Sequence, residues 1–427
     1  MQGESFVELM SAASIDSKTA SLSGLSSTLR ILNPEVDITA QALMQRINNP
    51  SAATFLKKVF QKVLEIKIED IAKRVPPNLL QPFSNVWIED CSECMLHGAL
   101  QNEFKGSGEA SKSSVKIDLI YEMKQKNIHS VDLVDRRSPD QKLAQKHLDI
   151  VGKGDLVIRD LGFFDSTVLN AIDEAEAFFL SRLPGCVNVY LNKDDEVPTD
   201  IAKYLSRKFP SDSVIEIPVF ISTEKVPCRM IAYRAPQEVV NQRRRAAIKT
   251  AKKKGRTPTE ERLRRLDFTF FLTNVPVEIL QAEVVGTLYT VRWQLELIFK
   301  NWKSSLQINY LKGTDPNRIR CLLYGKLIMI TLMNLIYKLL DWYAQQTSRE
   351  ISLHKVVNWL KRGDKFMRWI LRDPNLNFIK LLEQEILKTL CKDKRKQRKT
   401  TEQCLNMAIS YEDIYVKYNG NKPVRTR

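Results

Sequence analysis

Between Tyr289 and Lys303 the chain reads YTVRWQLELIFKNWK, in which Glu296 is the only carboxylate and Arg292, Lys300 and Lys303 are the cations. At about 100° per residue with Tyr289 as zero, a helix places Arg292 near −60°, Glu296 near −20°, Lys300 near +20° and Lys303 near −40°, a stripe roughly 80° wide. Leu288, Val291, Leu295, Ile298, Phe299 and Trp302 gather on a separate apolar face. A carboxylate set among cations suits a bound metal ion and phosphate. The same spacing also describes a solvated face with Arg292, Glu296 and Lys300 paired at i,i+4, each pair worth a few tenths of a kcal/mol, and the spacing leaves both readings open.

The order Tyr289, two residues, Arg292, three residues, Glu296, six residues, Lys303 resembles the signature of the insertion-sequence-four family of bacterial transposases, and Lys300 matches a further lysine carried by many members. The resemblance covers roughly half the chain, from Asp90 to Lys303. It implies a ribonuclease H-like α/β fold on which the glutamate completes an Asp-Asp-Glu metal triad. It also implies a largely β insertion between the second aspartate and the glutamate.

Two upstream aspartates meet that expectation. Asp90 ends the strand-like run Val86-Trp87-Ile88-Glu89, and a carboxylate at a strand end is rigidly held. Cys91 follows it where the family usually has Ser or Gly and then Thr, which leaves Glu89 and Glu93 as rivals. Asp160 follows Leu156-Val157-Ile158-Arg159 and precedes Leu161-Gly162-Phe163, which resembles the block around the second aspartate; Asp165, just before Ser166-Thr167, reads instead as a helix cap. Asp90, Asp160 and Glu296 are therefore the expected catalytic residues and metal ligands. Three carboxylates suit two Mg²⁺ ions, with Mn²⁺ as a substitute, since Mg²⁺ takes oxygen ligands and keeps several waters. A two-ion site can activate the attacking oxygen and stabilise the leaving one. The resemblance gives Tyr289, Arg292, Lys300 and Lys303 to the DNA backbone and offers Phe268, Phe270, Phe271 and Trp293 for base stacking, although core packing explains the phenylalanines equally simply.

Sixty-six Lys plus Arg against fifty Asp plus Glu give a net charge of +16, which suits a polyanionic partner. Cations are densest in Arg243, Arg244, Arg245, Lys252, Lys253 and Lys254, where DNA phosphate is the expected counter-charge and a solvated helix the alternative. A second run near the C-terminus, including Lys392, Lys394, Arg395, Lys396, Arg398 and Lys399, reads as a solvated tail. Cys91-x-x-Cys94 lacks the other two ligands of a structural zinc, and Gly106-Ser107-Gly108 supplies no phosphate-cradling loop. The four histidines show no ligand spacing. Seven scattered cysteines argue for reduced thiols.

The N-terminus lacks a signal-peptide pattern, and the longest apolar run, about eleven residues from Leu327, falls short of the ~20 needed to span a bilayer. A cytoplasmic protein associated with DNA, without a membrane partner, is expected. The organisation reads as a helical N-terminal region over 1–82, which the resemblance implies helps bind element ends and which a plain packing role explains as well, and a core over 83–191. An insertion with a basic helix follows over 192–280, then the second part of the core over 281–345 and a helical C-terminal region over 346–427. Along the chain, helices are expected over 38–46, 52–72, 141–150, 167–183, 318–343 and 353–371, and a strand over 186–191. The implied activity is metal-dependent cleavage at inverted-repeat ends and transfer of the 3′-hydroxyl into target DNA by a synaptic homodimer. A catalytically inactive DNA-binding relative, or a nuclease of the same fold, are the alternatives.

Overall fold

The computed structural model describes residues 1–12, 21–68, 72–108, 111–362, 387–393 and 399–414. The fold is mixed α/β with one large sheet, and it divides into two compact units. One comprises Met1–Val75, Asp90–Ser138 and Leu295–Gln397; the other comprises Pro76–Glu89, Pro139–Gln294 and Arg398–Arg427.

The first unit holds four N-terminal helices, α1 (Gly3–Ala12), α2 (Leu22–Leu32), α3 (Ala40–Ile47) and α4 (Pro50–Leu64). The last three begin where the sequence supplies a cap: the side chains of Ser21, Thr39 and Asn49 accept backbone N–H groups at the starts of α2, α3 and α4. Their apolar faces pack with α12 (Pro316–Gln346), a 31-residue helix started by Asp315 and Pro316. By length and composition α12 could cross a membrane, but 83% of its most apolar window is buried inside the protein, so it is a core helix. Gly325 lets α1 approach, because a Cβ there would lie within 3.0 Å of the Met10 backbone. The same unit contains β2 (Lys105–Gly108), β3 (Ser111–Glu122) and β4 (Asn127–Asp135), with β4 antiparallel to β3. A buried ion cluster ties it together: Asp341 accepts from Arg74 Nε at 2.8 Å and from Lys126 Nζ at 2.9 Å.

Strand β1 (Val86–Met95) passes from the second unit into the first. In the second unit Val86–Glu89 runs parallel to β5 (Leu156–Arg159), and β5 runs parallel to β6 (Phe178–Arg182). These strands are almost wholly apolar and buried, as parallel strands covered on both faces must be. The order continues antiparallel through β10 (Phe268–Thr273), β9 (Val226–Arg234), β8 (Val214–Ile221) and β7 (Val189–Tyr190).

Several expectations meet a different structure. The helix expected over 167–183 stops early: α6 (Ser166–Glu174) ends, Glu176 turns the chain at φ 55°, and Phe178–Arg182 becomes β6. A short apolar run reads equally as strand or buried helix, and here the parallel pairing with β5 decides. The strand expected over 186–191 shrinks to Val189–Tyr190. The segment 192–280, expected as a largely β insertion, supplies β8, β9 and β10, and β10 pairs directly with β6. Its basic stretch is α8 (Gln237–Lys253). The helix expected over 353–371 is described as α13 (Leu353–Arg362), with Trp359 half-buried; Phe366, Trp369, Lys394, Arg395, Lys396 and Arg398 lie outside the described residues.

Candidate active site

In the second unit the parallel register pairs Val86 with Leu156 and closes on Glu89 with Arg159. The next residue along the chain is in each case one of the expected aspartates: Asp90, which does not end its strand as expected because β1 continues to Met95, and Asp160, just past β5. The far ends of both strands are pinned by Asp155, which accepts from the Asn85 backbone at 3.0 Å, from Trp87 Nε1 at 2.8 Å and from the Gly152 backbone at 3.0 Å. The near ends are locked by opposite charges. Glu89, 2% exposed, lies 2.6 Å from Arg159 Nε and 2.9 Å from His147 Nδ1. The Arg159 N–H is not aimed at the carboxylate oxygen, so this contact is an ion pair more than a directed hydrogen bond.

Both rivals of Asp90 have cationic partners. Glu89 is neutralised internally by Arg159, and Glu93 pairs with Arg136 at 2.6 Å in the first unit. Asp90 is half-buried, and its Oδ1 accepts the Cys91 backbone N–H at 2.8 Å. Asp160 sits in extended conformation ahead of a 3₁₀ turn, Leu161–Phe163, with its side chain 44% exposed. Arg292 Nε lies 3.8 Å from its carboxylate. The neighbouring Asp165 does act as a cap, accepting the Thr167 N–H at 2.9 Å at the start of α6.

The signature segment is not one uniform helix. α10 (Ala282–Tyr289) leads into a 3₁₀ turn, Thr290–Arg292, and only then into α11 (Trp293–Ser304). A 3₁₀ turn advances about 120° per residue instead of 100°, so the expected single stripe divides. Tyr289 and Arg292 turn inward and are buried, whereas Glu296, Lys300 and Lys303 stay exposed. The apolar face holds as expected: Leu288, Val291, Leu295, Ile298, Phe299 and Trp302 are all buried. Tyr289 donates its hydroxyl to the Arg159 carbonyl at 3.3 Å, and burial pushes its ionisation well above the usual tyrosine range. In this position Tyr289 braces the end of β5. Glu296 occupies the first turn of α11, where the helix dipole favours a negative charge. The other end of α11 is capped by cations from the first unit. Lys326 Nζ donates to the Gln307 carbonyl at 2.9 Å and Lys361 Nζ donates to the Ser305 carbonyl.

Of the cations expected on DNA, Arg243 and Arg244 are engaged internally. Arg243 donates to the carbonyls of Leu266 and Phe268 and to Thr269 Oγ1, and Arg244 meets Asp267 at 2.6 Å. Arg245, Lys252, Lys253 and Lys254 are exposed. Phe268, Phe270 and Phe271 are core residues, while Trp293 is 58% exposed. All seven cysteines are free, and burial raises the Cys94 thiol to about 11. The Glu89–Arg159–His147 network escaped the sequence reading. Its signal was present: each strand places a charge of opposite sign immediately before its aspartate.

Residues 91–332 match the family described as transposase DDE domain, a span that includes Asp160 and Glu296 and begins one residue after Asp90. The chain is 27% identical over 341 residues to the transposase for insertion sequence element IS231F of Bacillus thuringiensis subsp. israelensis, covering 76% of this chain and 71% of that protein. With the IS231B transposase of Bacillus thuringiensis subsp. berliner it shares 25% over 388 residues, covering 86% and 80%. The transposase for IS1151 of Clostridium perfringens is 29% identical over 313 residues, covering 69% and 66%.

Proposed function

This chain belongs to the transposase DDE domain family and is a DNA transposase, and on that premise we propose that Asp90, Asp160 and Glu296 together form its metal-holding, DNA-cutting centre. The observation that carries the assignment is the β1–β5 register, whose last pair is Glu89 with Arg159, so that Asp90 within β1 and Asp160 just past β5 each follow that pair by one residue. The donor set fits a hard divalent cation. All three side chains offer carboxylate oxygens; Asp90 is half-buried, Asp160 is 44% exposed and Glu296 is exposed. Mg²⁺, with Mn²⁺ as a substitute, is the matching ion class. When bound, a pair of such ions activates the attacking oxygen and stabilises the leaving one.

The remaining roles follow from placement. The Glu89–Arg159 pair and the Tyr289 hydroxyl hold the end of β5, so Asp160 projects from a fixed point. Tyr289 is thereby a positioning residue in place of a direct phosphate contact. Arg292 orients Asp160 and sets a fixed positive charge beside it. Lys300 and Lys303, exposed on the helix of Glu296, meet the phosphates flanking the scissile bond as point charges. Hydrolysis at an element end frees a 3′-hydroxyl. That hydroxyl then attacks a target phosphodiester, one P–O bond forming as another breaks.

We assign the chain to the insertion-sequence-four group on the signature from Tyr289 to Lys303, and its core to the ribonuclease H-like class. The order β4-β3-β1-β5-β6, with β1, β5 and β6 parallel, supports the latter. Inverted-repeat ends and target DNA are the proposed substrates, a homodimer the synaptic form, and the cytoplasm the compartment. Helices over 1–82 are assigned to end binding and the region over 346–427 to support of the core. Cleavage of duplexes carrying the element's own inverted repeats, with Mg²⁺ or EDTA, tests the assignment. Cutting and joining should require metal and disappear in Asp160→Asn. Undiminished cutting in Asp160→Asn would overturn it, and cutting without joining of pre-cut ends would make the protein a nuclease.

A further inference from the structure

Helix α8 sorts its cations by face. Its inner side is fixed to the body by Val239, Val240 and Ala251, and both inner arginines are consumed there, Arg243 on two carbonyls and Thr269 and Arg244 on Asp267. Arg264 on the following helix, α9 (Glu260–Arg265), is likewise paired, with Asp200 at 2.9 Å and Glu260 at 3.1 Å. The outer side is different. Arg245, Lys249, Lys252 and Lys253 are exposed and make no ion pair among the described residues. Counted at about 100° per residue they fall within an arc of roughly 100°. Lys254 and Arg256 continue the exposed charge past the helix end, and the only carboxylate on α8 is Glu238, in its first turn.

Such an arrangement opposes the helix that carries it. Arg245 with Lys249, Lys249 with Lys252 and Lys249 with Lys253 stand at i,i+3 or i,i+4, where like charges repel. An external polyanion relieves this, and the geometry suits an extended one: at 1.5 Å rise per residue the cations from Arg245 to Lys253 span about 12 Å. Duplex DNA presents one negative charge per about 1.7 Å of axis, so several phosphates face that length.

We propose that the outer face of α8 is a sequence-independent docking surface for the phosphate backbone of duplex DNA, with Arg243 and Arg244 serving as the anchors that hold the helix. The proposal rests on the transposase reading for its choice of polyanion. Because the surface makes only charge contacts to backbone, it holds flanking or target DNA regardless of base sequence.

The test compares the full-length protein with a variant carrying Arg245→Gln, Lys249→Gln, Lys252→Gln and Lys253→Gln. Binding to a short duplex of arbitrary sequence is titrated over a range of salt in EDTA, so the result does not depend on cutting. Each lost phosphate contact lowers the slope of log affinity against log salt by about 0.9, so the expected fall is roughly 3 to 4. Arg244→Gln is the control: it should lower the melting temperature and leave the slope unchanged. An unchanged slope in the fourfold variant, with its melting temperature intact, overturns the proposal. So does a loss confined to the element's own repeats, or a loss of binding to poly-glutamate alone, which would assign the surface to an acidic protein. Glu296→Gln, which tests the cutting centre, should retain the wild-type slope, so the two readings fail separately.

Discussion

Glu89→Gln separates the internal charge of this protein from its catalytic charge. The substitution keeps the side-chain shape and removes only the anion, leaving Arg159 as a buried cation 2.6 Å from a neutral amide. Both side chains are nearly inaccessible, Glu89 at 2% and Arg159 at 9%, so water cannot replace the lost partner. Removing one member of a buried pair costs about 3 to 5 kcal/mol. The lower part of that range is expected, because the pair is close without being well aligned and the new amide can still meet His147. Urea unfolding followed by circular dichroism measures the loss. A double variant, Glu89→Met with Arg159→Met, should recover most of it, since apolar replacement of a whole buried pair is near neutral. Asp90→Asn, one residue away and half-buried, should change stability by no more than about 0.5 kcal/mol while abolishing cutting. The reasoning fails if Glu89→Gln unfolds like the wild type, or if it loses metal-dependent cutting with full stability, for then Glu89 would be the ligand.

Two further outcomes concern the supports of the signature segment. Burial drives Lys326 down from 10.5 to about 8, so between those values the unfolded chain binds a proton that the folded chain does not, and stability should rise with pH across that window. Relative to Lys326→Met, the gain should approach about 3 kcal/mol, read from unfolding midpoints on either side of the window; a flat difference would show that Lys326 is not buried as charged. At Gly286 an added Cβ meets the Tyr411 ring within 3.0 Å, and that ring is hemmed in by Tyr233 and Phe271. Gly286→Ala should cost about 1 to 3 kcal/mol through overpacking, and Tyr411→Ala in the same chain should absorb the clash, so additive losses in the double-mutant cycle would refute the contact.

Much of the local structure around the expected site residues could be read before the structure because its parts are local. The runs Val86–Glu89 and Leu156–Arg159 announce buried parallel strands by composition, and an aspartate follows each, although Asp90 does not end its strand, since β1 runs on to Met95. The apolar face of α11 follows from its spacing, and all its members are buried. What escaped depends on pairing or on small changes of helical phase. Nothing in Thr290-Val291-Arg292 marks a 3₁₀ turn, yet that turn takes Tyr289 and Arg292 inward and leaves Glu296, Lys300 and Lys303 outside. Phe178–Arg182 is a strand because β5 and β10 flank it, a fact of tertiary pairing that its residues do not encode. Arg243 and Arg244 looked identical to Arg245 in sequence. Only the partners Thr269 and Asp267 distinguish anchors from open charge.

The most direct test of the central claim is strand transfer by wild type and Glu296→Gln on pre-cut ends bearing the element's inverted repeats, with Mg²⁺ present and DNA binding measured in parallel. Glu296 is exposed on α11 and a neutral isostere keeps its shape, so the variant should fold and bind DNA as the wild type does. Joining should vanish in Glu296→Gln while binding persists. Joining at the wild-type rate in that variant would contradict the assignment of Glu296, and with it the three-carboxylate centre.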